Sequence, residues 1–161
     1  MNSAAPTRSA GSKTKLSEAE LRAWQALLHA HHDLTRKLDA ELRSEHGLSF
    51  GAYDVLLRLA RAPGHALRMT ELADRVMLSP SGLTRLVDQL VDQDLVQRER
   101  VEQDARVVMG RLTDRGRRVI RQAAGTHLRG IREHFTARLS EAQLHNLAAA
   151  LETITGPHRP H

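Results

Sequence analysis

Ser79, Ser81, Thr84 and Arg85 stand together in the run SPSGLTR. Hydroxyls at the start of a helix bond phosphate oxygens beside free backbone N–H groups, and an arginine offers a fork that matches the acceptor edge of guanine. Downstream, Arg98, Arg100, Arg106 and Arg111 fall where apolar and polar residues alternate, from Leu95 to Arg100 and from Val107 to Leu112. That alternation is the pattern of a two-stranded ribbon, whose arginines can lie along a duplex and enter its minor groove. The region is not basic in bulk. From Arg68 to Arg111 seven basic residues face eight acidic ones, so affinity for a polyanion has to come from the placement of single guanidinium groups. The same residues also have a plainer reading: Ser79 caps a helix, Pro80 takes its first position, and the outer face is merely solvated.

Ten histidines raise the question of a metal. His127 and His134 are two helical turns apart, too far to chelate one ion together, and the adjacent His31 and His32 point in different directions. With no cysteine in the chain, disulfides and thiolate sites are excluded. A zinc site would need histidine and carboxylate ligands assembled from several helices, and we expect no metal and no other cofactor. No nucleophile elbow, phosphate-binding glycine loop or H-E-x-x-H run is present, so an enzyme is not expected. The four aromatics, Trp24, Phe50, Tyr53 and Phe135, are too few for folds that stack single-stranded bases. A net charge of +5 allows a polyanionic partner, and arginine dominance suits phosphate and guanine contacts, although a GC-rich genome would produce the same bias. No apolar run reaches the roughly 18–20 residues that a membrane helix needs. The N-terminus lacks the apolar stretch of a secretory signal, and a cytoplasmic, nucleoid-associated location is expected.

These residues need a scaffold; a length of 161 residues points to a single domain, and hydrophobic periodicity marks its elements. Residues 1–15 read as a disordered basic arm. Ser17 and Glu20 form a capping box, after which Trp24, Leu27, Leu28, His31, Leu34, Leu38 and Leu42 recur at helical spacing as far as His46. A second helix starts at Leu48-Ser49, turns Tyr53, Leu56, Leu57 and Ala60 inward, and ends at Pro63-Gly64. A third, TELADRVML, has Thr70 as its expected N-cap. The fourth carries Leu83, Leu86, Val87 and Leu90 inward, leaving Ser81, Thr84, Arg85 and Asp88 outside. After the ribbon, whose polar tip reads EQDA, helical spacing returns with Val119, Ile120, Ala123, His127, Leu128, Ile131 and Phe135. A last helix after Ser140 carries Leu144, Leu147, Leu151 and Ile154. The expected fold is mainly α with a small two- to three-stranded β-wing: a winged helix-turn-helix whose second short helix enters the major groove.

Asp104-Ala105-Arg106, followed by Leu112-Thr113 and Gly116, matches a D-x-R…LT…G pattern, and MTELADRVMLSPSGLTRLVDQLVDQDLVQRE precedes it. Over roughly residues 20–155 the chain thereby resembles the MarR family of bacterial transcription regulators. The resemblance implies a triangular homodimer that binds a palindromic double-stranded operator, usually as a repressor, and often releases it when a small anionic effector binds. It implies DNA contacts for Ser81, Thr84 and Arg85 on the recognition helix and for Arg106 at the wing tip, with Asp104 positioning Arg106 or its neighbour. Ser79 and Arg98 complete the expected DNA-binding set. The tip departs from the family in reading EQDA where a basic or glycine-rich turn is common.

The remaining segments read as a dimerisation helix over 16–46, a DNA-binding lobe over 47–112, dimerisation helices over 113–156 and a tail over 157–161. The apolar stripes of the first, fifth and sixth helices exceed what a small lobe can cover, and two-fold pairing with a second copy buries them. Trp24, His31, Tyr53 and Asp54 are candidates for holding an effector such as an aromatic acid. Asp54, Arg85 and Arg98 match ligand-sensing positions in the urate-responsive branch of the family. That branch uses a tryptophan on an additional N-terminal helix, whereas Trp24 lies on the first helix, and the three residues also read simply as stabilising the lobe. The readings from other classes are a helical protein-interaction module and a histidine-ligated metal-responsive regulator.

Overall fold

A computed structural model describes residues 15–76, 78–101 and 104–156. Residues 1–14 of the expected 1–15 arm, the tail over 157–161 and the Glu102-Gln103 half of the ribbon tip lie outside the described residues. The chain divides into two compact units, residues 1–33 and 34–161.

In the first unit, Ser17 and Glu20 form the expected capping box: the Ser17 N–H donates to Glu20 Oε2 at 2.7 Å and the Glu20 N–H to Ser17 Oγ at 3.3 Å. They start α1 (Glu18–His46). Leu21, Trp24, Leu27 and Leu28 are all exposed.

In the second unit, Leu38 and Leu42 of α1 turn into a core. Gly47, at φ +67°, ends the helix, with its N–H on Arg43 O and that of Leu48 on Leu42 O, a left-handed cap that glycine takes without steric cost. Ser49 caps α2 (Phe50–Arg61) through the Ala52 N–H. The Asp39 carboxylate accepts the Phe50 N–H at 2.7 Å and pairs with Arg43. Burial pushes Asp39 up, but these two donors outweigh it and hold the carboxyl below its ordinary value. Val55, Leu56 and Leu59 are fully buried, while Leu57 and Ala60 of the expected inward set are partly exposed.

Three antiparallel strands follow in the spatial order β1 (Ala66–Arg68), β3 (Asp104–Leu112), β2 (Val96–Val101). β1 was outside the ribbon expected from alternation: three residues are too few to show a period, and only pairing with Met109, Gly110 and Arg111 defines it. β2 begins one residue after Leu95, which is buried below the turn. β3 begins at Asp104, three residues before Val107, so half of the polar EQDA segment belongs to a strand.

The helix-turn-helix is α3 (Met69–Arg75) and α4 (Pro80–Asp92). Thr70 does not cap α3. The chain enters this helix straight from β1, Arg68 occupies the cap position without a side-chain bond, and Thr70 lies inside the first turn. The helix also stops at Arg75, short of the expected VML extension.

Thr113 starts α5 (Asp114–His134), and Ser140 starts α6 (Glu141–Thr155) with a full capping box to Gln143. In α5 the buried positions are Gly116, Ile120, Ala123, Thr126 and Gly130; Leu128, expected inward, is 63% exposed. Residue 128 lies well off the face that the 116, 120 and 123 positions define, so helical phase overrides its apolar character. No residue of α6 is buried within the chain.

Candidate nucleic-acid interface

Ser79 Oγ accepts the Gly82 N–H at 3.2 Å, leaving Pro80 at the first helical position. The cap sets the helix's start, and Leu83, Val87 and Leu90 sink into the core. Ser81, Thr84, Arg85 and Asp88 are consequently exposed together on the other side. Thr84 Oγ1 donates to Pro80 O at 3.0 Å, and Arg85 Nε reaches Ser81 O at 3.4 Å. The guanidinium of Arg85 makes no ion pair with any described residue.

The wing meets this helix through Arg98. Its Nη1 lies 2.7 Å from Asp88 Oδ1, and its Nη2 donates to Thr84 O at 3.2 Å. Arg98 therefore ties β2 to the exposed face of α4, and it neutralises the acidic group beside Thr84 and Arg85. Sequence reasoning placed Asp88 outside but gave it no role; its partner is fourteen residues from Thr84 and no local pattern joins them. Arg111 is also engaged, with Nε on both Glu99 oxygens and Nη1 on Gly64 O. The bond from Arg111 holds the Glu99 carboxyl below its ordinary value.

At the wing tip Asp104 Oδ1 accepts the backbone N–H of Arg106 at 3.0 Å. The carboxylate thus fixes the Arg106 backbone while the exposed side chain makes no ion pair with a described residue. The other half of the D-x-R…LT…G pattern is architectural. Thr113 Oγ1 donates to Asp94 O at 2.7 Å and accepts the Gly116 N–H at 2.9 Å, and the Thr113 N–H bonds Leu95 O. A Cβ on Gly116 would stand 2.1 Å from Leu95 O, so only glycine lets the first turn of α5 rest on that carbonyl.

Of the candidate effector residues, Tyr53 and Asp54 are neighbours on α2. Tyr53 is 3% exposed, and its ring lies 4.4 Å from that of His127. Burial pushes the Tyr53 hydroxyl up and the His127 imidazole down, against the pull of Asp54 on the latter. Asp54 pairs with Arg58 at 3.1 Å. The Tyr53 ring is thus packed against His127, and the Asp54 carboxylate is engaged by Arg58. Trp24, 55% exposed, and His31 belong to the first unit.

A capped helix flanked by an antiparallel wing is the arrangement of winged-helix regulators. A sequence profile of the MarR family matches residues 46–107. The structure of AbsC, a MarR family transcriptional regulator from Streptomyces coelicolor, superposes with a TM-score of 0.82 at 31% identity, covering 89% of this chain and 96% of that one. Sco3205 from the same organism, a MarR family regulator crystallised in complex with DNA, gives 0.84 at 29% identity over 93% and 94%. A mutant MarR from E. coli with operator DNA, at 21% identity and a TM-score of 0.75 over 88% and 99%, shares the fold. Among curated proteins none matches the chain by sequence. The chain belongs to the MarR family of transcription regulators. Among the described residues, no helix is long and apolar enough to cross a membrane.

Proposed function

We propose that this chain binds a palindromic operator as a homodimer and represses transcription there without catalytic activity, α4 reading the major groove and the β2–β3 wing anchoring in the minor groove. The observation that carries this reading is the outward face of α4, where Ser81, Thr84 and Arg85 stand exposed beside a wing whose Arg98 holds Thr84 O and Asp88. The DNA complex of Sco3205 supports it. In this reading Arg85 specifies, Ser79 and Ser81 meet phosphates beside the helix start, and Arg98 positions. Arg106 enters the minor groove from a backbone that Asp104 fixes. A small anionic or aromatic effector acts through the helices around Tyr53.

Arg85→Ala is expected to cost about 1–3 kcal/mol on the operator and to relax base preference, since a bidentate base contact is lost. Equal weakening on operator and random DNA, measured by fluorescence anisotropy, would assign Arg85 to phosphate instead. Arg106→Ala is expected to weaken binding at unchanged major-groove preference and to lower the slope of log affinity against log salt by about one unit. Asp104→Ala should do the same more mildly.

A further inference from the structure

Near its C-terminal end α5 comes close to α1. A Cβ on Gly130 would lie 2.6 Å from Glu41 Oε2 and 2.6 Å from Leu38 Cδ2. The absence of a side chain at residue 130 is therefore what admits the Glu41 carboxylate, in a helix interior where glycine costs about 1 kcal/mol relative to alanine. One turn further on, His134 Nε2 meets Glu41 Oε1 at 2.5 Å. Two polar atoms in this junction are nonetheless left over. Glu41 Oε2 and His134 Nδ1 are both buried and have no hydrogen-bond partner. A buried polar atom without a partner is costly, and a bound ion is one of the few things that removes the cost. Glu133, adjacent and exposed, completes a set in which Glu41, Glu133 and His134 each bring one ligand atom within 4.8 Å of the others.

We propose that Glu41, Glu133 and His134 form a binding site for a divalent transition-metal ion of the Zn2+ type. The donor set decides the class of ion. One imidazole nitrogen with two carboxylate oxygens suits zinc and its neighbours, whereas magnesium and calcium favour oxygen alone. In a tetrahedral shell, ligand distances of roughly 2.0–2.2 Å place the ligand atoms about 3.3–3.6 Å from one another, so side-chain rotations bring the three atoms onto one ion. Binding an ion here requires an unprotonated His134 ring nitrogen and ionised carboxylates. Three protein ligands leave a fourth position for water. These ligands come from two helices and include two carboxylates, so histidine spacing along the sequence cannot find them: spacing compares His134 with His127, while Glu41 lies 93 residues away.

The test is calorimetric titration of the full chain, purified without a histidine tag, with Zn2+ and separately with Mg2+. The expected result is saturable binding of one Zn2+ per chain at this site and a rise in thermal midpoint on its addition, with no binding of Mg2+ at the same concentrations. Glu41→Gln and Glu133→Gln should each weaken the Zn2+ affinity at least about tenfold. Glu133 is exposed, so its variant keeps the test valid if the Glu41 variant does not fold. Absence of saturable Zn2+ binding would overturn the proposal. So would Zn2+ binding of equal affinity in the Glu133→Gln chain, which would assign the ion to other histidines, or equal binding of Mg2+.

Discussion

In α2 and α4 the apolar stripes find their partners inside the chain, with Val55, Leu56, Leu59, Val87 and Leu90 at or near zero exposure, whereas α6 contributes no buried residue and leaves Ile154 75% and Leu147 37% exposed. Both regions have good local helix signals. α4 has Ser79 and Pro80, and α6 has the reciprocal capping box of Ser140 and Gln143. The difference shows that local signals place a helix while burial must come from elsewhere, since a fifteen-residue helix is marginal in water without tertiary packing. The lobe is self-sufficient. α6 finds no covering surface among the described residues, and a second copy related by two-fold symmetry supplies one in our reading.

Breaking the self-sufficient side should have the largest effect. Gly116→Ala drives a methyl group against Leu95 O and Leu112 Cδ1, at 2.1 and 2.8 Å, and is expected to lower stability by about 1–3 kcal/mol in urea unfolding. An unchanged midpoint would mean that α5 does not rest on the turn below the wing. On the other side, Leu147→Glu combined with Ile154→Glu should leave chain stability within about 0.5 kcal/mol, as for substitutions away from a core. The same pair should yield monomers in light scattering and lose high-affinity operator binding. If the pair unfolds the chain instead, α6 is core and the contrast fails.

The smallest effect lies between the two regions, at His127, which packs on Tyr53 and Phe50. Burial lowers its pKa from the ordinary 6.5. The unfolded chain therefore takes up a proton at His127 before the folded chain does, and this residue removes stability as pH falls below about 6.5. His127→Phe should flatten that part of the stability profile relative to the parent chain and leave the region above pH 7 nearly unchanged. A parallel loss in both chains would assign the acid sensitivity to another group.

The longer helices were legible because their stripes run for three or more turns and their caps are local: Ser17, Ser49, Ser79 and Ser140 all start helices where the sequence places them. β1 was not legible, since its three residues gain strand character only from β3. Thr70 was misplaced for a related reason, because a preceding strand removed the free coil that a cap requires. In the proposed DNA-facing set, residue types single out Ser81, Thr84 and Arg85, and the structure leaves all three exposed. The pairing of Arg98 with Asp88 was hidden, because ion pairs between elements have no sequence period. Apolar spacing likewise put Leu128 on the wrong side of α5, where small residues at 116, 123 and 130 mark the face that packs.

Thr113 has a mechanical consequence. Its amide and hydroxyl bond two successive carbonyls, those of Leu95 and Asp94, and Gly116 rests on the first of them. The head of α5 is thereby joined to the turn that follows α4. A tilt of α5 that keeps these bonds carries the end of α4 and the root of the wing with it, like two tines of a fork turned by one handle.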